Sequence, residues 1–448
     1  MEDNGYIIGP IKGNKKKPYS FVIGVLSVLL FAFGHISGSN GVLYLGCVAM
    51  AINFVVFSDE LLCLELLYIP LVNILKLSPD GVSLFSYISL MGLIAFVVKR
   101  KTVTINATFF FVCVGLLLLF LAKEIFQQFG VTMVYIRLLL TMVTTAIFVK
   151  IKTAEPDTTA GEMRRANLFL TWGVILASII GFFFADSTRL SQFLTVDSNY
   201  IEGELASRFC GVSSDPNYYS SLVIFAISTN LFHFIHHPRI SHLIFTIVLV
   251  IFGILSLSKM YLLLLAVVFA LFLLAWIREK GIASAKGFIS VVIITTFVLV
   301  GGYYMINSPT VQLILARMGE SSSVNDFTTG RLDTWLGYIS AMLDSVEYLL
   351  IGVGNNAAIA GRHNTHNTIL QIWWKLGALG VLLIFIGFVS IWHNCKRRNA
   401  RGTFLILTGC FGATLALDML FFEQFFWFFA FCVLCKHMSD SKIETTKR

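Results

Sequence analysis

The sequence predicts an all-α polytopic membrane protein with about 14 (12–14) transmembrane helices, and two observations carry that reading. The first is composition. Of 448 residues, 57% are hydrophobic and only 13% charged, with a mean hydropathy of +0.81. An ordinary soluble domain is about half apolar and about a quarter charged. The second is distribution: the apolar residues cluster into blocks of 17 or more, separated by short polar punctuation. A bilayer-spanning helix needs about 20 apolar residues. Disorder requires the opposite balance, and a membrane β-barrel would alternate over segments of about ten residues.

Taken in order, the blocks read as spans 19–37, 41–57, 61–77, 82–98, 103–121, 131–149, 166–185, 216–235, 241–257, 260–277, 286–306, 368–392, 402–418 and 422–436. No small-residue cleavage site follows the first block, which therefore reads as an uncleaved anchor. The third contains Glu65 and Pro70, which leaves a re-entrant or interfacial segment as the alternative to a span.

Positive charge orients the set, because cytoplasmic loops collect Lys and Arg. With the N-terminus inside, the cytoplasmic segments hold 23 of the 33 basic residues, including Lys99-Arg100-Lys101 and Lys396-Arg397-Arg398. Dropping span 61–77 would invert Lys99-Arg100-Lys101 and every later basic cluster. Both termini are thus expected in the cytoplasm, and residues 1–448 form a single polytopic membrane domain. The net charge of +8 is mostly a topology signal. Nothing resembles a basic-aromatic nucleic-acid surface.

Ten basic residues remain on the opposite side: Lys76, Lys123, Arg137, Arg189, Arg208, Lys259, Arg317, Arg331, Arg362 and Lys375. The charge rule argues against them there, so several are expected to have a task. Two extracytoplasmic loops, 186–215 and 307–367, are long enough to carry a site, and long ordered loops are commonly functional. Together they would form the active-site face. The C-x-x-C spacing of Cys432 and Cys435 lacks the second ligand pair that structural zinc requires.

The first loop ends Arg208-Phe-Cys-Gly-Val-Ser-Ser-Asp215-Pro216-Asn217. Asp215 and Pro216 read as an N-cap and a first helical residue. Lys259, in the turn Ser256-Leu-Ser-Lys259, is a lone charge in an apolar stretch, and position alone favours a lysine snorkelling to the headgroups. In the second loop, Thr329-Gly-Arg331 precedes apolar residues at Leu332, Trp335, Leu336, Ile339, Met342, Leu343, Val346 and Leu350. That spacing defines one face of an amphipathic helix lying on the outer surface or over the bundle. Gly352 and Gly354 then break the chain, and Arg362-His363-Asn-Thr-His366-Asn367 leads into span 368–392.

Guanidinium groups bind phosphate oxygens bidentately, and a neutral imidazole is a general base at neutral pH. A set of Arg, Lys and His at the outer headgroup level therefore suits transfer of a group away from a lipid pyrophosphate, with no metal or other cofactor required. No D-x-D, Walker or Rossmann pattern supplies a nucleotide.

The runs R-F-C-G-V-S-S-D-P-N (208–217), S-L-S-K (256–259), T-G-R-L-D-T-W (329–335), L-L-I-G-V-G (349–354) and H-N-T-I-L (366–370), in this order, resemble the O-antigen polymerase and ligase superfamily. That resemblance implies a GT-C-like, metal-independent glycosyltransferase. It would take glycan from undecaprenyl pyrophosphate at the outer face of a bacterial cytoplasmic (inner) membrane. By motif match, Arg208 and Arg331 would bind the donor's pyrophosphate, with Lys259 standing where many members carry arginine, and His366 would activate the acceptor hydroxyl. Arg317, Arg362 and His363 match no motif. The motifs are shared by polymerases and ligases; outer loops with no marked site for a large lipid A core or a protein acceptor, the 41 Phe residues and fourteen spans rather than twelve favour a polysaccharide polymerase acting on lipid-linked repeat units, with chain-length regulator and flippase proteins as partners. The alternatives are a ligase that transfers the glycan to lipid A core or another acceptor, and a non-enzymatic transporter of the lipid-linked glycan.

Overall fold

The computed structural model describes residues 17–78, 83–100, 105–127, 133–154, 160–185, 187, 190–192, 198–201, 204–280, 312, 331–354, 365–393, 402–419 and 423–437. Before the first long loop the helices are α1 (Lys17–Ser37), α2 (Asn40–Val56), α3 (Leu61–Tyr68), α4 (Leu84–Arg100), α5 (Ala107–Gln127), α6 (Met133–Ala154) and α7 (Ala160–Phe184). After it come α8 (Pro216–His236), α9 (Ile240–Ile254) and α10 (Lys259–Lys280). The remainder are α11 (Arg331–Leu343), α12 (Val346–Ile351), α13 (Thr368–His393), α14 (Thr403–Phe411) and α15 (Glu423–His437).

This is a helical multi-pass membrane protein. Among the described residues, six helices are long and apolar enough to cross a bilayer, and α2 with the segment after it forms a further pair bent by 87°. That is fewer than the 14 spans expected, and the reasons are local. Block 61–77 does not span: α3 has eight residues, about 12 Å of rise, and Pro70 sits in a 3₁₀ turn at Ile69–Leu71. Proline cannot donate to the helical ladder, and all eight α3 residues are buried, packed on α7. Block 402–418 stops being α-helical at Phe411, passes through a 3₁₀ turn at Gly412–Leu415 and leaves Asp418 outside any helix. Helices α9 and α15 have 15 residues each. Block 286–306 lies outside the described residues.

Helix α8 is the innermost long helix, with nearly its whole length covered by α7, α9, α10 and α14. Its start is as the sequence predicts: Asn217 N and Tyr218 N donate to Asp215 Oδ1 at 2.6 and 3.2 Å, and Pro216 occupies the first turn. The loop before it contains an antiparallel hairpin, β1 (Ser198–Ile201) with β2 (Glu204–Ser207), in register Ser198 to Ser207.

The expected amphipathic stretch is two helices. Ser345 caps α12, accepting from Tyr348 N at 3.0 Å, and this break resets the helical phase. The buried side of α11 centres on Tyr338 and Met342, which pack on Trp374 of α13, with the Tyr338 and Trp374 rings edge-to-face at 4.8 Å. Leu336, Leu343, Val346 and Leu350, predicted on the same face, are exposed.

The G-x-G run has a packing role. Gly352 has φ +75° and Gly377, at a kink in α13, has φ +70°. A Cβ on Gly352 would lie 2.5 Å from Gly377 N, and one on Gly377 would lie 2.2 Å from Leu350 O. Buried Lys123, one of the ten basic residues left outside the expected cytoplasmic set, donates to Gly352 O at 2.7 Å. Its task is to hold this crossing. Cys432 and Cys435 are buried within α15.

Candidate functional site

The first cluster forms where the loop before α8 meets the turn between α9 and α10. Phe209 N donates to Leu255 O at 3.1 Å, which pins Arg208 beside that turn. Arg208 is 7% exposed; its Nε donates to Ser256 O at 3.1 Å and its Nη2 to Asn217 Oδ1 at 3.2 Å. The same Asn217 oxygen accepts from Ser258 Oγ at 2.8 Å. Thus three segments singled out in the sequence, at 208, 215–217 and 256–259, meet on one amide oxygen. The turn is tight enough to hold Leu257 at φ +50°. Lys259 is half-buried at the first position of α10. A cation is disfavoured at a helix N-terminus, so its charge is better matched by an anion in front of the turn than by its own helix.

The second cluster forms on the backbone after α14, where four consecutive carbonyls each accept from a different side chain. Leu415 O takes Asn367 Nδ2 at 3.1 Å, Ala416 O takes Arg331 Nη1 at 2.9 Å, Leu417 O takes Thr368 Oγ1 at 2.6 Å and Asp418 O takes Tyr218 Oη at 3.1 Å. Met419 N donates back to Thr368 Oγ1 at 3.0 Å. A broken helix leaves such carbonyls without intrahelical partners, and here the loop-borne motifs satisfy them.

His366 stands immediately before this contact. It is exposed, with φ +52°, a left-handed conformation uncommon for a non-glycine residue. The conformation is held from both sides. Trp335 Nε1 donates to Thr365 O at 2.9 Å, Thr365 N donates to Gln371 Oε1 at 2.7 Å, and Asn367 Oδ1 caps α13 by accepting from Ile369 N and Leu370 N. Arg331 and Trp335 lie one turn apart on α11, so that helix reaches both the 416 carbonyl and the backbone flanking His366.

The two clusters are joined through the start of α8, since Asn217 holds Arg208 and the adjacent Tyr218 holds Asp418 O. Arg331 lies within Coulombic reach of Asp215 and Tyr218. Burial pulls the Arg331 guanidinium below its ordinary pKa, and Asp215 opposes that shift. An under-solvated guanidinium beside one half-buried carboxylate is a site that gains from a further anion. Arg208, Lys259, Arg331 and the backbone carrying His366 are therefore one connected region. Arg317, Arg362 and His363 lie outside the described residues.

Asp418 is absent from the sequence-derived set. It is 6% exposed, its Oδ1 has no hydrogen-bond partner among the described residues, and Lys375 and Tyr135 lie within Coulombic reach. The signal was a single carboxylate closing an apolar block, which by itself marks a functional position in a membrane protein. No protein-family model matches the chain, and no curated protein matches it.

Proposed function

We propose that this chain is a cell-surface polysaccharide polymerase. It transfers glycan from undecaprenyl pyrophosphate to a lipid-linked repeat unit at the outer face of a bacterial inner membrane, within a GT-C-like helical bundle. The observation that carries this reading is that Arg208 donates to Asn217 at the start of α8 and Arg331 lies within Coulombic reach of Asp215 and Tyr218 in the same turn. Two guanidinium groups near one turn suit a diphosphate, whose oxygens accept paired hydrogen bonds. Lys259 at the adjacent turn adds a third cation.

In the reaction, the bond between the donor's anomeric carbon and the diphosphate oxygen breaks, and the acceptor hydroxyl oxygen bonds to that carbon. The hydroxyl proton goes to the imidazole of His366. The diphosphate leaves with its negative charge stabilised by Arg208, Arg331 and Lys259. A positioned base and preorganised cations act where charge develops, so no metal is needed by this scheme. Chain-length regulator and flippase proteins are partners in this proposal, and both termini lie in the cytoplasm.

The test is direct. Purified protein is incubated with undecaprenyl-pyrophosphate-linked repeat units, and the products are separated by size. A ladder supports the polymerase. Transfer only after lipid A core is added replaces it with the ligase reading. Movement of the lipid-linked glycan between vesicle leaflets at unchanged length replaces it with the transporter reading.

A further inference from the structure

A large cavity among the described residues lies away from this site. It lies at the far end of α7 and α8, where α7 begins and α9 follows α8, with a volume of about 910 Å³. Along α8, Asn217 at the site and Asn230 at the cavity are about 20 Å apart.

Its charges do not balance. Asp59 is engaged by Lys99 at 3.8 Å and Arg100 at 3.4 Å, Glu60 by Arg165 at 2.9 Å, and Glu162 by Lys152 at 3.8 Å. Arg164 and Arg239 also line the cavity, and neither has a carboxylate partner among the described residues.

Beside them runs a buried polar chain. Asn230 Nδ2 donates to Ala226 O and Thr171 Oγ1, which turns Asn230 Oδ1 toward His242 Nδ1 at 3.3 Å and Asn167 Nδ2 at 3.1 Å. His242 Nδ1 therefore carries the proton, and its Nε2 presents a lone pair. Among the described residues both His242 Nε2 and Asn167 Oδ1 lack a hydrogen-bond partner, in side chains only 6% and 1% exposed. An orphaned buried acceptor is costly to a fold unless a ligand satisfies it. Two such acceptors beside two uncompensated guanidinium groups define a complementary ligand: an anion that also donates hydroxyl hydrogens.

We propose that this cavity binds a phosphate ester of a polyol, with the phosphate on Arg164 and Arg239 and the hydroxyls on His242 Nε2 and Asn167 Oδ1. A glycerol-bearing phospholipid headgroup and a free polyol phosphate share that chemistry. The site is independent of the transfer reaction proposed above.

The experiment is ligand retention by the purified full-length protein, read by native mass spectrometry. The lipid probes are phosphatidylglycerol, phosphatidic acid and phosphatidylcholine; the soluble probe is glycerol 3-phosphate. Phosphatidylglycerol should be retained over phosphatidylcholine, and the double variant Arg164→Gln/Arg239→Gln should weaken that retention about tenfold or more. His242→Phe should remove the preference for phosphatidylglycerol over phosphatidic acid while leaving phosphatidic acid binding within about twofold. Binding of glycerol 3-phosphate with the same variant dependence identifies a soluble occupant, and binding of phosphatidylglycerol alone identifies a lipid. Equal retention of phosphatidylcholine and phosphatidylglycerol with no binding of glycerol 3-phosphate, or an unaffected double variant, overturns the proposal.

Discussion

Arg331 donates to the Ala416 carbonyl at 2.9 Å, next to the Leu415 carbonyl that Asn367 holds at 3.1 Å. The guanidinium at the start of α11 and the residue following His366 are thus fixed to adjacent peptide units of one short backbone segment.

Arg331 is consequently the cleaner probe of diphosphate binding. Its one hydrogen bond to protein among the described residues uses a single Nη, whereas Arg208 spends two donors and is almost fully buried. Arg331→Ala should lower turnover about 10²- to 10³-fold. Arg331→Lys should recover little of it, because the charge returns without the fork. Arg331→Ala should also lower the melting temperature in detergent, because the Ala416 carbonyl loses its donor, whereas Arg331→Lys should stay closer to wild type, which makes the lysine variant the decisive one. Wild-type product ladders from the lysine variant would remove Arg331 from the grip.

Asn217 is expected to behave as a structural keystone. Asn217→Leu leaves Arg208 Nη2 and Ser258 Oγ without their shared acceptor. Each stranded donor costs about 1–3 kcal/mol, so thermal unfolding should fall measurably. Asn217→Asp supplies a carboxylate to Arg208 instead. It should hold stability near wild type while raising the KM for the diphosphate donor, because an internal anion now competes for the guanidinium.

His366 can be tested without disturbing its backbone. Asparagine tolerates the left-handed region that His366 occupies at φ +52°. His366→Asn should therefore leave the melting temperature unchanged and lower the transfer rate by about 10² to 10⁴. His366→Val should lose both stability and activity, since a β-branched residue is strained there. Near-normal turnover in the asparagine variant would exclude the imidazole as base.

Asp418→Asn addresses the carboxyl that the sequence did not single out. The Asp418 backbone contact with Tyr218 is retained in this variant, so folding should be preserved. Loss of turnover with an unchanged melting temperature would assign the unpartnered carboxyl a part in the chemistry; unchanged turnover would make it structural.

Gly377→Ala should destabilise the crossing of α13 with the Gly352 turn. Gly377 combines φ +70° with an approach of 2.2 Å between an added Cβ and Leu350 O. Strained backbone of this kind costs about 1–3 kcal/mol before the clash is counted. A lower unfolding temperature, with the Arg331 helix displaced because it packs on Trp374 of the same α13, is the expected result.

Class, α8 start and motif positions were legible because they depend on local chemistry. The excess of apolar residues dictates helices in lipid, where backbone groups must be satisfied within the segment. Asp215-Pro216 dictates a helix start through one carboxylate and a missing N–H. Arg208, Lys259, Arg331 and His366 could be named from residue type and order alone. What composition could not distinguish was an apolar block that spans from one that folds back. Blocks 61–77 and 402–418 are apolar enough for either, and the outcome rests on Pro70 and on the exchange of helical bonds at 415–418 for side chains from α8, α11 and the loop leading into α13. Those bonds join residues 48 to 200 positions apart. Periodicity is blind to such separations, because it reports only what lies within a few turns of the same helix. For the same reason the meeting of Arg208 and Ser258 on Asn217, and the polar chain from Asn167 to His242, belong to the tertiary structure alone.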